Sequence, residues 1–112
     1  MNILGLSEGF HDAGLCLLQN NKIVTATHAE RHSGIKNDKW LHHSQFPILK
    51  KYQPDAIAFY EKPFRKNLRR LYAGQSWQKP SRKCDYYFGH HESHAAAGYY
   101  TSPFDDCNVL VI

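Results

Sequence analysis

Residues 89–97 have the sequence GHHESHAAA and directly follow the apolar run at 86–88. The alanines favour the helical conformation, whereas Pro103 stops a helix. The sequence therefore predicts a helix over 91–100 that the chain enters from a strand.

His90 and His94 lie four residues apart in this stretch. On a helix, or at its first turn, this spacing places both imidazoles on one face, where their nitrogens can converge on one metal ion. The chain has eight histidines, so a pair at this spacing can also arise by chance. Two ligands do not complete a coordination sphere, and further ligands must come from elsewhere.

The composition is that of one small domain. The chain has 112 residues, of which 42% are hydrophobic, and this permits a modest core. No apolar run approaches the roughly 20 residues of a membrane span, and the start lacks the pattern of a signal peptide. We therefore expect a cytoplasmic protein without membrane contact. The cysteines Cys16, Cys84 and Cys107 form no C-x-x-C motif and are expected to be reduced, mostly buried thiols.

The net charge of +4 is distributed unevenly. Residues 62–83 contain eight basic side chains and no carboxylate: Lys62, Arg65, Lys66, Arg69, Arg70, Lys79, Arg82 and Lys83. Such a patch suits an anionic partner, namely a phosphate, a nucleotide or a nucleic acid. The alternative is a solvated helix face with no partner.

The first 27 residues predict a strand, a tight turn and a β-hairpin. Residues 2–6 are apolar, and residues 7–14 form a small, polar turn that contains glycines. Asn20 and Asn21 separate the next two apolar runs and tolerate the positive φ angles of a hairpin turn. The first turn can hold an anion on its N–H groups, and it places His11 and Asp12 at a sheet edge. Alternatively, Asp12 only bonds its own backbone.

The remaining segments alternate between strands and helices, which predicts an α/β fold. Residues 28–38 are polar and are expected to form an extended loop. Ser44 is expected to cap a helix over 47–52, and 55–60 reads as a buried strand. An amphipathic helix follows over 64–72. Further strands are predicted at 84–88 and 108–112.

Several motifs occur in an order and spacing that resemble one known family. They are the segment 2–6, the His11-Asp12-Ala13 turn, the Asn20-Asn21 hairpin, Glu30-Arg31 with Ile35-Lys36, Phe59-Tyr60-Glu61-Lys62-Pro63, His90-His91-x-x-His94-Ala95 and Ser102-Pro103-Phe104. Together they resemble the amino-terminal part of the O-carbamoyltransferases that act in nodulation and antibiotic tailoring. The resemblance covers all of residues 1–112, which correspond to about the first fifth of a family member.

The resemblance implies a partial actin-like ATPase (ribonuclease H-like) fold, with a mixed sheet, a β-hairpin start and flanking helices. It implies that a carboxy-terminal domain makes carbamoyladenylate from carbamoyl phosphate and ATP. The amino-terminal domain then transfers the carbamoyl group to a hydroxyl of a small acceptor. A divalent metal, typically iron, is held by the residues matching His90 and His94 and by an acidic residue further along the chain.

The resemblance also implies roles for other residues. His11 and Asp12 lie at the same site and are predicted to be catalytic, with His11 as proton acceptor and Asp12 orienting it. Glu30, Arg31, Lys36 and His91 are predicted to bind substrate, although His91 is alternatively a packing or capping residue. The loop at 29–34 reads AERHSG where the family usually has EERFSR, so one carboxylate and one arginine are missing.

The family strand that matches 109–112 continues into an Asp-Gly turn that contacts phosphate. We therefore expect residues 1–112 to be a truncated segment without activity of its own, prone to self-association through an exposed last strand. Two alternatives remain for the function. One is a relative of the tRNA threonylcarbamoyl-transferring proteins, which the run at 59–63 disfavours. The other is a small nucleic-acid-binding module that uses the basic residues of 62–83, although a small-molecule acceptor fits the resemblance better than nucleic acid.

Overall fold

The computed structural model describes all residues 1–112 and contains one five-stranded mixed sheet. The strands are Asn2–Ser7 (β1), Gly14–Gln19 (β2), Lys22–His28 (β3), Ala56–Phe59 (β4) and Tyr86–Tyr87 (β5), in the order β3-β2-β1-β4-β5. Antiparallel pairing joins β1 to β2 and β2 to β3, whereas β4 is parallel to β1 and β5 is parallel to β4. The predicted α/β class, the mixed sheet and the opening hairpin are therefore confirmed.

Four helices connect or follow the strands: Glu30–Ser33 (α1), Pro47–Tyr52 (α2), Pro63–Tyr72 (α3) and His90–Tyr100 (α4). The predicted helices at 47–52, 64–72 and 91–100 are confirmed to within one residue. Proline stands at the start of α2 and α3, where its missing N–H costs no helical hydrogen bond. No helix combines the length and the apolar character that crossing a membrane requires.

The hairpin between β2 and β3 turns at the residues that the sequence indicates. Asn20 and Asn21 have φ angles of 48° and 63°. Both lie in the left-handed region, which asparagine adopts more readily than most residues and which a tight two-residue hairpin turn needs.

The core lies on one face of the sheet. Leu4 and Leu6 on β1 pair with Leu17 and Leu15 on β2, and all four side chains are buried. Phe59 and Cys84 complete this cluster, and six partly buried side chains pack against it: Leu41, Ile48, Leu49, Tyr52, Ile57 and Tyr60. The alternation of buried and half-buried residues along β1 follows from the period of two in a strand.

One edge of the sheet collects the ends of four strands. The carboxyl ends of the parallel strands β1, β4 and β5 meet there, and the antiparallel pairing brings the last residue of β3, His28, opposite Gly14 at the same edge. The polar turn at 8–13, the segment 60–62 and the first residues of α4 all leave the sheet from this edge. Active sites of open α/β sheets lie at such carboxyl ends.

Two predicted strands differ in the structure. Residues 108–112 are not a strand and pair with no other segment, although Leu110 and Ile112 are exposed as expected. Of the predicted strand at 84–88, only 86–87 pairs with β4, whereas Cys84 is buried in the core cluster. An apolar run indicates burial, but a strand also needs a partner with free backbone groups.

The segment 28–38 is not an extended loop throughout. His28 ends β3, and 30–33 form the single helical turn α1. Gly34 terminates this turn with a φ of 71° and donates its N–H to the carbonyl oxygen of Glu30 at 3.0 Å.

Two smaller predictions also differ. Ser44 does not cap α2 but lies in a short 3-10 turn at 43–45, which the His42 side chain caps. The three cysteines are free, as expected, but only Cys84 is buried; Cys16 is half-buried and Cys107 is exposed. Burial raises the pKa of the Cys16 and Cys84 thiols, which keeps them protonated and unreactive near neutral pH.

Candidate functional site at the carboxyl edge of the sheet

The start of α4 is built so that His90 is its first residue. Gly89 precedes the helix in an extended conformation, and its N–H donates to the Glu92 carboxylate at 2.9 Å. A side chain at position 89 would meet Glu92, since a Cβ there would lie 3.1 Å from its carboxylate. This arrangement satisfies one free N–H and places a negative charge at the positive end of the helix.

The two histidines of the H-x-x-x-H motif converge as predicted. The Nε2 atoms of His90 and His94 lie 3.1 Å apart, and the ring centroids lie 4.6 Å apart in an edge-on arrangement. Two nitrogens bound to one ion at about 2.0–2.1 Å would be about 3.0–3.4 Å apart, depending on the angle at the metal. The distance between these nitrogens therefore fits two adjacent ligands of a divalent ion, and without an ion it fits a hydrogen bond between the two rings.

Glu61 lies behind His90, on the side away from His94. Its Oε2 atom is 3.9 Å from Nδ1 of His90, and its Oε1 atom is 2.7 Å from Nζ of Lys66. The distance of 3.9 Å is too long for a hydrogen bond, but the negative charge beside Nδ1 favours a proton on that nitrogen and leaves the lone pair of Nε2 for a ligand. Lys66 pairs with the half-buried carboxylate and restrains its position.

The pKa of His90 lies below its ordinary value of 6.5. Burial is the main cause, the nearby His94 ring adds to it, and the Glu61 carboxylate acts in the opposite direction. The lowered pKa keeps the imidazole neutral at neutral pH, as metal binding requires. The Tyr60 ring lies edge-on to His90 at 5.5 Å, and burial with the adjacent Glu61 raises the pKa of its phenol, which stays neutral.

Ser93 fastens α4 to the end of β4. Its hydroxyl lies 2.7 Å from the carbonyl oxygen of Tyr60 and 3.0 Å from that of Gly89. The serine lies between the two histidines in sequence, so this contact sets how the pair faces the edge of the sheet.

The turn after β1 holds His11 and Asp12 together. Nδ1 of His11 is 2.8 Å from Oδ2 of Asp12, and both side chains are largely exposed. Asp12 has a φ of 47° and Gly9 a φ of 89°, so the turn depends on residues that tolerate the left-handed region. The carboxylate can hold the Nδ1–H tautomer of His11 and leave its Nε2 free to accept a proton.

Glu8 anchors this turn to two loops. Its carboxylate is buried, with 2% of the residue exposed. It accepts hydrogen bonds from the N–H of Leu41 at 3.4 Å and from the N–H of Ser81. Glu8 therefore has a structural role, because a buried carboxylate of this kind requires such donors.

A chain of contacts connects the turn with the histidine pair. The Phe10 ring packs against His11, with centroids 4.6 Å apart, and Nζ of Lys66 lies 4.9 Å from the centroid of the Phe10 ring. Lys66 in turn pairs with Glu61, which faces His90. The turn after β1 is thus linked to His90 indirectly, through the Phe10 ring, Lys66 and Glu61.

The other predicted site residues make few contacts with the residues described above. His91 is exposed, and its ring centroid lies 5.6 Å from that of His90. Arg31 and Lys36 are exposed and form neither ion pairs nor side-chain hydrogen bonds. Glu30 accepts a hydrogen bond from the N–H of Asn37 at 3.3 Å and lies beside Asp12, away from the two loop cations.

Three functional candidates were not assigned from the sequence: Glu61, Lys66 and His28. Glu61 follows β4 within two residues, so the rule that sites lie at carboxyl ends of strands points to it. Lys66 reaches Glu61 from one turn into α3, and no pattern in the sequence marks that contact. His28 becomes a candidate only through the pairing of β3 with β2, which the sequence does not specify.

A concave basic groove lies beside α3, next to Phe64 and Asn67. It encloses about 580 Å³ and is lined by the cations Lys62, Lys79, Arg82 and Lys83 together with the rings of Phe64, Trp77 and Tyr87. None of these four cations has a carboxylate partner within 4.0 Å. Four of the eight residues of the predicted basic patch therefore line a groove with aromatic rings, whereas Arg65, Lys66, Arg69 and Arg70 lie on α3.

Comparison with known proteins gives no relative. No protein-family model matches the chain, and no curated protein sequence is similar enough to be matched to it.

Proposed function

We propose that this chain is the amino-terminal part of an O-carbamoyltransferase, which transfers a carbamoyl group to a hydroxyl of a small molecule. The observation that carries the proposal is the convergence of His90 and His94, whose Nε2 atoms lie 3.1 Å apart. The type of reaction is inferred from the sequence motifs, and the polar residues at the edge of the sheet are its proposed site. A mixed sheet that opens with a hairpin is also in keeping with the actin-like ATPase fold that we propose for the complete domain.

His90 and His94 would hold the metal, and by resemblance this metal is iron with a further acidic ligand. A bound divalent ion would supply Lewis acidity toward an oxygen of the carbamoyl donor. Glu61 positions His90 from behind, and Ser93 holds the helix that carries both ligands.

Residues of this chain would accept the proton that the acceptor hydroxyl loses. The acceptor hydroxyl oxygen forms a bond to the carbamoyl carbon of carbamoyladenylate, and the bond from that carbon to the phosphate oxygen breaks. His11 takes the proton of the hydroxyl on Nε2, and Asp12 stabilises the resulting imidazolium through the 2.8 Å contact at Nδ1. Adenosine monophosphate leaves with the electron pair.

The proposal assigns the remaining residues to substrate binding. Arg31 and Lys36 are exposed and unpaired, so they are free to meet the phosphate of the donor. His91 lies beside His90 and could contact the acceptor. In this proposal, a downstream domain uses carbamoyl phosphate and ATP to make the carbamoyladenylate.

The decisive experiment compares metal content and activity. In the full-length enzyme, replacement of His90 and His94 by alanine should remove bound iron and carbamoyl transfer together. The assay supplies carbamoyl phosphate, ATP, iron and a panel of sugar and polyol acceptors. The matched control is His43→Ala, which removes an exposed histidine outside the site. Unchanged metal content in the double variant would refute the assignment.

The basic groove favours a second candidate function, the binding of single-stranded nucleic acid. Cations around exposed Phe64 and Trp77 rings are the combination that tracks phosphates and stacks bases. The affinity for a single-stranded nucleic acid should then fall steeply with salt. The logarithm of the binding constant plotted against the logarithm of the salt concentration should have a slope near −0.7 per neutralised phosphate. The affinity should drop in Trp77→Ala and stay the same in His90→Ala. No salt-dependent binding, or equal loss in both variants, would exclude this function.

A further inference from the structure

A second group of metal-ligating side chains lies at the same edge of the sheet. Asp12, His28 and Glu30 each offer a ligand atom, and these three atoms lie within 4.8 Å of one another. The residues come from the turn after β1, the end of β3 and the start of α1, so three separate elements bring them together. We propose that Asp12, His28 and Glu30 bind a divalent first-row transition cation at a site separate from His90 and His94.

His28 is the first argument for this site. Its Nδ1 atom is buried and has no hydrogen-bond partner. Buried imidazole nitrogens normally have a partner, and an unpaired one lowers the stability of the fold. Coordination of a cation through this nitrogen would satisfy it without any donor or acceptor from the protein.

The two carboxylates are the second argument. Asp12 uses Oδ2 for His11, and Glu30 uses Oε2 for the N–H of Asn37. The other oxygen of each carboxylate makes no hydrogen bond, and no lysine or arginine pairs with either group. These two carboxylate oxygens are free to bind and lie close together, so their negative charges repel each other. A cation between them would remove that repulsion.

The ligand set indicates which cations fit. Carboxylate oxygens suit Mg²⁺ and Mn²⁺, whereas an imidazole suits Fe²⁺ and Zn²⁺. A set of two oxygens and one nitrogen therefore favours Mn²⁺, Fe²⁺ or Zn²⁺ over Mg²⁺ or Ca²⁺. Three protein ligands leave positions open for water or for a ligand's oxygen atoms.

A large cleft adjoins the site and gives such a ligand room. It encloses about 850 Å³ between the second face of the sheet and α4, and His28, Ser7 and Thr27 lie among its lining residues. Most of the remaining lining is apolar. A cation on His28 would therefore sit at the polar end of an apolar cleft, where it could hold a small oxygen-bearing molecule.

The test uses Mn²⁺ as the probe, followed by electron paramagnetic resonance and calorimetry on the purified chain. His28→Gln and Glu30→Gln should each weaken Mn²⁺ binding at least about tenfold, since losing even an outer-shell partner costs about 10–100-fold. Asp106→Asn removes an exposed carboxylate elsewhere and should change nothing. The double variant His90→Ala, His94→Ala should retain this Mn²⁺ binding, which separates the site from the histidine pair.

A second measurement needs no variant. Mn²⁺ added to the wild-type chain should broaden the backbone amide signals of residues 12–13 and 28–30 at lower concentration than those of 90–94. Broadening centred on 90–94 alone would overturn the proposal. A dissociation constant for Mn²⁺ above about 1 mM, which corresponds to only about 4 kcal/mol of binding, would also overturn it. Equal Mn²⁺ affinity in the wild type and in the folded His28→Gln and Glu30→Gln variants would do the same.

Discussion

His90 meets a different chemical partner at each ring nitrogen. Nδ1 faces the Glu61 carboxylate at 3.9 Å, and Nε2 faces the same atom of His94 at 3.1 Å. Lys66 pairs with the other oxygen of Glu61 at 2.7 Å, which favours this position of the carboxylate. In the proposed metal site, Glu61 would influence which nitrogen of His90 is free to bind without touching the metal itself.

Glu61→Gln tests this control directly. The amide keeps the shape of the carboxylate but loses its charge, so it should no longer favour the proton on Nδ1 of His90. Affinity of the histidine pair for Co²⁺ or Zn²⁺ should fall about 10–100-fold, as measured by calorimetry. The control Asp106→Asn removes the same charge far from the pair. Equal affinities for Glu61→Gln and wild type would show that Glu61 does not orient the ligand.

The lowered pKa of His90 predicts how the site responds to acid. The unfolded chain takes up a proton on this ring near the ordinary pKa of 6.5, whereas the folded chain takes it up at lower pH. As pH falls through this window, the apo protein loses stability and metal binding weakens, because the neutral ring is the stabilised form. An NMR titration of the His90 ring should give a midpoint below 6.5, and a midpoint above 6.5 would contradict the burial argument.

The residues of the candidate site differ in how far the sequence reveals them. His90 and His94 are related by helix spacing, and His11 and Asp12 are neighbours in the chain, so local geometry suffices to bring each pair together. Glu61 and His28 reach the same edge only through strand pairing. Register between distant strands depends on the whole sheet, and a single sequence does not specify it.

Among the elements, α4 carries most of the site and depends on its first turn. Glu92 accepts the N–H of Gly89 there, at 2.9 Å, and its charge faces the positive end of the helix. Ser93 adds the contact to β4. His90 lies in this turn, so fraying of the helix end would also move it relative to His94.

Replacing Glu92 tests the first turn. Glu92→Ala removes both the hydrogen bond and the charge, and it should lower the free energy of unfolding by about 0.5–1.5 kcal/mol. Glu92→Gln keeps an acceptor oxygen and loses only the charge, so its cost should be smaller, about 0.3–1 kcal/mol. Urea unfolding followed by circular dichroism gives both values. If the glutamine variant is the less stable of the two, the hydrogen bond is not what holds the helix start.

The elements themselves were largely predictable, because most depend on local signals. The Asn20-Asn21 turn and the prolines at the starts of α2 and α3 mark boundaries that the structure confirms. The predicted strand at 108–112 fails because its apolar side chains say nothing about a pairing partner. The single turn α1 is too short to produce a periodic pattern, so it could not be seen in the sequence.

At the scale of the whole molecule, much of the apolar surface is not covered. Only eleven of the 112 residues are buried, and the core cluster has six members. Helix α3 is amphipathic as predicted, yet its apolar side chains Phe64, Leu68, Leu71 and Tyr72 are all exposed. The buried residue of this helix is instead Asn67, which exchanges hydrogen bonds with the backbone of Gln78. Large exposed apolar patches mark interaction surfaces.

The apolar side of α3 therefore predicts that the isolated chain associates with itself. Replacing Leu68 and Leu71 together by glutamine removes the centre of this patch and keeps good helix formers in place. Sedimentation of the wild type should show mass increasing with concentration up to about 100 μM, a range in which weak contacts of about 5–6 kcal/mol are populated. The double glutamine variant should remain monomeric over that range. The control replaces Arg65 and Arg69 by glutamine, which changes the basic side of the same helix and should leave association intact or strengthen it, since like charges then repel less. A monomeric wild type, or equal association in the leucine variant, would show that the exposed face of α3 does not act as a contact surface.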